Sequence, residues 1–305
     1  MIVLATSDKG GTGRSVTTTN VAYRRALQGD DVCFLDFDFG SPTAGAILDV
    51  ESVSRGIKMG TGLHSYLHGE TAEPARIDVW RHAGWSGRRR PLGAGRLVLL
   101  PGDEGGGEFP VDAAMIERCR QLFLGLAEEF SIILVDLSAG RSYAAELVQE
   151  ATSNLGSGGE AVRWLVFHRW TRQHILAAHG LVFGERGIVN NGVQLGIDRE
   201  VMEDSIRFVR TAVQEPDSAQ LSLLRPAQAS WLQRCHEELL ELAARRRLGR
   251  SMMIGAIPLD PVLQWREQII RDLDVRSTQI ANPETVAAFE DLASKLTQQN
   301  YWAAV

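Results

Sequence analysis

Short, almost wholly apolar runs alternate along the chain with longer stretches of helical character. Ile2-Val3-Leu4-Ala5, Val32-Cys33-Phe34-Leu35, Leu97-Val98-Leu99-Leu100, Ile132-Ile133-Leu134-Val135, Leu165-Val166-Phe167 and Met252-Met253-Ile254-Gly255-Ala256-Ile257 have the composition of buried strands. Strands that are apolar at consecutive positions are covered on both faces, as in a parallel sheet between two layers of helices. The pattern predicts an α/β fold, a mostly parallel, doubly wound sheet flanked by helices on both faces. Val16–Ala22 suits a first helix. A helix from about Trp231 shows Leu232, Leu239, Leu240 and Leu242 on an apolar face. Asn282-Pro283-Glu284-Thr285 opens a terminal helix, with proline at a first-turn position where its missing N–H costs nothing. Strands recur from the first residues to Ile257 and leave no separate second core, so residues 1–305 read as one domain. Insertions are expected at about 75–96 and 186–250.

The chemistry lies between the first run and the first helix. Lys9 to Ser15 read K-G-G-T-G-R-S. A strand feeding a glycine turn, followed by a helix N-terminus, presents backbone N–H groups and a partial positive charge to a polyphosphate. Gly10, Gly11 and Gly13 allow that path because they lack Cβ. Two side chains depart from the common G-x-x-x-x-G-K-[ST] loop: Lys9 is extra, and Arg14 stands where lysine is usual. Lysine occurs only at positions 9, 58 and 295, so a general drift to arginine explains Arg14 by composition, yet Lys9 escaped it. A guanidinium can neutralise β- and γ-phosphate oxygens, but its rigid fork bears on nucleotide preference and turnover. Two further runs end in acids, Leu35-Asp36-Phe37-Asp38 and Leu134-Val135-Asp136. One loop hydroxyl, Ser15, and one strand-end carboxylate, Asp136, are a sufficient protein contribution to Mg²⁺, which keeps several waters.

With K-G-G-x-G-K-[ST] as its template, this loop resembles that of the ParA/MinD family of deviant Walker A P-loop ATPases, of the SIMIBI class. The likeness is strong at residues 1–50, 130–142 and 252–262. It implies ATP or ADP with Mg²⁺, cradled by Lys9, Gly10, Gly11, Thr12, Gly13, Arg14, Ser15 and Val16. Asp38 would orient the attacking water, Asp36 would support loop and metal, and Asp136 would be the Walker B acid. Lys9 would reach the phosphates of a second copy in an ATP-dependent homodimer, which makes Lys9, Arg14 and Asp38 the expected catalytic residues. Backbone groups from Pro258 to Asp260 would contact the base. The function so implied is a dimerising ATPase switch of the bacterial cytoplasm, slow and regulated by a protein partner. A nucleotide-holding scaffold subunit with little or no hydrolysis is the alternative that Arg14 keeps open. An ATP-dependent synthetase would need a second substrate site, and no Cys or Ser stands in a recognisable nucleophile setting.

The remaining features narrow the partners. A net charge of −6 gives no global attraction to nucleic acid or anionic lipid. Arg88-Arg89-Arg90 with Arg96, and Arg245-Arg246-Arg247 with Arg250, are local basic clusters. ParA-type relatives bind DNA nonspecifically, so the resemblance makes both candidate DNA contacts; the second is equally explained by the preference for cations in a helix's last turn. The C-terminal Leu296–Val305 lacks the basic face of an interfacial helix, which argues against membrane docking. Its Tyr301-Trp302 end reads either as a frayed terminus or as a docking point for a partner. Cys33, Cys119 and Cys235 are dispersed and odd in number, against a disulfide framework, a zinc site or a bridging iron–sulfur cluster. His168 and His174 lie near Trp164 and Trp170 and read as packing residues. No run approaches a membrane span, and the start is already a strand rather than a leader, so a cytoplasmic protein is expected.

Overall fold

The computed structural model describes all residues except 59, 86, 88, 154, 156–159, 214–223 and 304–305. Its strands are β1 (Ile2–Thr6), β2 (Val32–Phe37), β3 (Ile77–Asp78), β4 (Leu97–Leu100), β5 (Ile132–Leu137), β6 (Val162–Arg169), β7 (Ile206–Val213) and β8 (Met253–Pro258). They form one eight-stranded sheet of order β3-β4-β2-β5-β1-β6-β7-β8. Every pairing is parallel except that of β3, a two-residue edge strand antiparallel to β4. The longer helices are α1 (Arg14–Leu27), α2 (Ala113–Glu129), α3 (Tyr143–Thr152), α4 (Arg172–Phe183), α5 (Pro226–Arg245) and α6 (Pro283–Leu296).

Successive strand residues point to opposite faces, and the core divides accordingly. Ile2, Leu4, Leu35 and Val135 pack with Phe123 of α2 and Leu147 of α3, whereas Val3, Ala5, Phe34 and Leu134 pack with Val21 of α1 and Phe289 of α6. The sheet is therefore covered on both sides, as the consecutive apolar runs predict.

The two stretches expected as insertions, 75–96 and 186–250, contribute to this body. Within 75–96, Trp80 and Trp85 pack edge-on against each other and on Tyr23 of α1; their indole N–H groups donate to Gly95 O at 3.0 Å and Leu48 O at 2.9 Å. Within 186–250 lies β7, an inner strand bonded to both β6 and β8. Its run Ile-Arg-Phe-Val-Arg-Thr-Ala-Val carries two arginines, which break the apolar signature. Buried Arg207 satisfies its guanidinium on carbonyls, donating to Tyr301 O at 2.7 Å and Ile206 O at 2.7 Å. The described residues up to Ala303 thus pack over β6 and β7. Trp302 is 3% exposed, with Arg163 and Arg207 over its ring.

Candidate functional site

Parallel sheets bind ligands beyond the carboxyl ends of their strands, and here β1, β2, β5, β6 and β8 all end around one loop. Residues 7–13 connect β1 to α1. Gly11 and Gly13 have φ of 69° and 72°, left-handed values at which a side chain is strained. At the starts of α2, α3 and α4 the side chains of Asp112, Ser142 and Thr171 accept the first-turn N–H groups of Met115, Ala145 and His174 respectively. α1 has no such cap: Gly13 stands at its N-cap, and no acidic residue lies in its first turn. The orphan N–H groups of a helix start are then available to an anion. Thr211, at the end of β7, pins the loop by donating its hydroxyl to Thr12 O, and Ser7 Oγ donates to Lys9 O at 3.0 Å. Lys9 itself is exposed.

A cleft of about 220 Å³ adjoins the loop, lined by Gly11, Thr12, Gly13, Arg169 and the turn Pro258–Asp260 after β8. Asp260 is buried, and its carboxylate accepts from Val262 N at 3.1 Å, Asn282 N at 2.9 Å and Thr285 Oγ1 at 2.7 Å. It ties the turn to α6, so only backbone groups there face the cleft as donors and acceptors. Neither Thr211 nor Arg169 stands out in the sequence; both come to the loop because β6 and β7 end beside it.

Arg14, the first residue of α1, turns away from this cleft. Its Nε donates to Asp136 Oδ1 at 2.5 Å, and its Nη2 to Asp38 Oδ2 at 2.8 Å and Ser15 Oγ at 3.3 Å. The side chain is 6% exposed and that of Asp136 2%. Such charge-assisted pairs to a fork of donors are the strong kind. The structure thus gathers four of the expected site residues, Arg14, Ser15, Asp38 and Asp136, on one guanidinium. Asp36 lies in register with Asp136 on the neighbouring strand, but its oxygens point to the following turn, accepting from Ala44 N at 2.9 Å and Asp38 N at 3.4 Å. Mg²⁺ would bind oxygen at 2.0–2.1 Å in octahedral geometry. Ser15 and Asp136 lie within hydrogen-bonding reach of each other and both are engaged by the guanidinium, so as arranged these residues do not fit that ion.

Burial, with Asp136 close by, holds the Asp36 carboxyl well above the ordinary range. A carboxyl whose folded pKa is raised contributes full stability below its unfolded value, near 3.9, and loses it as pH rises through the folded value. Asp36→Asn removes that loss while its amide oxygen still accepts from Ala44. Thermal unfolding of the variant is expected a few degrees above the parent at neutral pH, the gap closing toward pH 4. A melting temperature below the parent's at neutral pH would show that Asp36 is needed ionised.

With this geometry in view, likeness to known proteins becomes informative. No family model and no curated protein matches the sequence. Solved structures do match. The MinD cell division protein of Aquifex aeolicus, in its MinC:MinD complex, superposes with a TM-score of 0.58 at 17% identity over 97% of this chain and 95% of that one. MinD from Pyrococcus horikoshii, solved with Mg-ADP, gives 0.54 at 15% over 100% and 99%. A putative plasmid partition protein of Borrelia burgdorferi bound to AMPPNP gives 0.57 at 12% over 97% of each chain. The chain has the fold of the MinD and ParA ATPases.

That MinD/ParA fold leaves the other polar groups in structural roles. His168 is buried, which lowers its pKa to about 4, and its Nδ1 pairs with Arg169 O at 3.1 Å. Cys33 and Cys119 are buried and their thiols pushed up by desolvation, the opposite of a reactive cysteine. Among the described residues no three His, Cys, Asp or Glu side chains gather as a metal site. Arg89 and Arg90 are exposed, and Arg88 lies outside the described residues. Arg245 pairs with Glu241 at 3.5 Å, and Arg247 with Glu203. Asp103, just after β4, accepts from Gly62 N at 3.0 Å and Ser65 N at 2.9 Å and is structural. No described helix is long and apolar enough to cross a membrane.

Proposed function

We propose that this protein is a cytoplasmic nucleotide switch that binds ATP or ADP on the loop Lys9–Val16 and pairs with a second copy when ATP is bound. The observation that carries this is the uncapped start of α1 behind a left-handed glycine turn, at the strand ends of a MinD/ParA fold. Backbone N–H groups from Gly10 to Val16 hold the phosphates, and the Pro258–Asp260 turn lines the base side. Exposed Lys9 supplies a mobile charge to the facing protomer, where two polyphosphates need a cation between them. Asp38, partly exposed, is the acid that can reach an attacking water once it leaves Arg14. Hydrolysis is then slow and waits on a protein partner. The pairing of Arg14 with Asp38 also favours a second reading, a subunit that holds nucleotide without turning it over. Multiple-turnover phosphate release separates the two.

Light scattering with AMPPNP tests the first reading. The parent is expected to double its mass, Lys9→Ala to stay monomeric while retaining nucleotide, and Gly13→Val to lose at least about tenfold in affinity. A parent that binds AMPPNP yet remains monomeric at saturation refutes the switch and leaves the holding subunit.

A further inference from the structure

Given nucleotide binding at this loop, we propose that the protein takes its nucleoside polyphosphate without a divalent cation, because the Arg14 guanidinium already engages the loop hydroxyl and both strand-end carboxylates that would hold one. The inference rests on the nucleotide reading above and adds the form in which the nucleotide is bound. In a site of this design a cation bridges one loop hydroxyl and one strand-end acid. Here the bridge is made by the guanidinium, with Nε 2.5 Å from Asp136 and Nη2 2.8 Å from Asp38 and 3.3 Å from Ser15 Oγ. An ion bonded to Ser15 and Asp136 would sit against the guanidinium that donates to both. A buried cation would then be left beside a dication.

The surroundings oppose that arrangement. Arg14 is fixed at the first position of α1 and nine-tenths buried. Asp36 is turned to the following backbone, each of its oxygens accepting an N–H, from Asp38 and from Ala44. An ammonium is a compact point charge on a flexible stem, whereas the guanidinium fork presents fixed, separated donors that here reach two carboxylates and a hydroxyl. This gives a physical reason for arginine at position 14 in a chain that keeps lysine at position 9. Arg14 supplies one charge where lysine plus the ion would supply three. Phosphate charge therefore falls chiefly to the loop N–H groups, the start of α1 and Lys9.

The experiment is titration calorimetry of the full chain with AMPPNP and with ADP, in excess MgCl₂ and in excess EDTA. The parent's dissociation constants are expected to agree within about threefold between the two, while Arg14→Lys binds about tenfold or more weakly in EDTA than in MgCl₂. Arg14→Gln keeps a planar hydrogen-bonding end without the charge, and it should show the same dependence if the lysine variant does not fold. A fall of more than about threefold for the parent in EDTA overturns the proposal. So does a parent indifferent to Mg²⁺ whose Arg14 variants are equally indifferent, since Arg14 would then not be the cause. Failure of either nucleotide to bind under both conditions refutes the nucleotide reading itself, and this inference with it.

Discussion

At neutral pH, Arg14→Ala is expected to destabilise the protein by about 3–5 kcal/mol, the cost of taking one partner from a buried, hydrogen-bonded ion pair. The size follows from what remains behind. Asp136 is buried to within a few per cent and Asp38 partly so, and both lose the donor that satisfies them. Two unit charges 4 Å apart interact by roughly 4 kcal/mol at an effective dielectric of 20, so the mutual repulsion of the acids is no longer offset. Burial already raises the Asp136 carboxyl above the ordinary range against the pull of Arg14, and the variant removes that pull. A folded pKa raised still further means stability that is fully present below the unfolded value and lost as pH rises. The deficit should therefore be largest near neutrality and narrow as pH falls to about 3, below the unfolded value of about 3.9, where Asp136 is protonated in both states. Urea unfolding of parent and variant across that range measures it. A deficit below about 1 kcal/mol that does not change with pH would mean that Arg14 is not paired with Asp136 in solution.

The same residue marks where sequence reasoning stopped. The glycine loop was legible because its requirement is local: a left-handed path at Gly11 and Gly13 and a helix that starts without a side-chain cap. The strand-end acids were legible because apolar runs closing on Asp36, Asp38 and Asp136 fix which end of the sheet they occupy. The direction of the Arg14 side chain was not, since it is chosen by charges contributed from β2 and β5, far away in the chain. Asp260 was equally opaque: the chain shows a proline turn, and only the fold shows that its carboxylate is committed to α6. β7 escaped because a strand that buries Arg207 and Thr211 has no hydrophobic period to read, its arginine being satisfied by carbonyls of the chain terminus.

That terminus supplies the other large effect: Trp302→Ala is expected to cost about 3–5 kcal/mol, the usual loss for emptying a buried large aromatic site. Trp302 sits three residues from the chain end, where fraying is the ordinary outcome. It is held because its ring meets two guanidinium groups, Arg163 at 4.6 Å and Arg207 at 5.6 Å from the ring centre, and its indole N–H donates to Lys295 O at 3.4 Å. Burial and the charge of Arg207 lower the pKa of Arg163 to about 10. The indole face, negative at its centre, offsets part of the mutual repulsion of these two cations, and alanine withdraws it. Trp302→Phe keeps a ring face and should cost much less. Denaturant unfolding of the three proteins ranks them, and hydrogen exchange at Leu296–Tyr301 reports whether the segment has detached. If the terminus is instead loose in solution, Trp302→Ala will fall within the ±0.5 kcal/mol typical of surface changes, and exchange there will be fast in the parent as well.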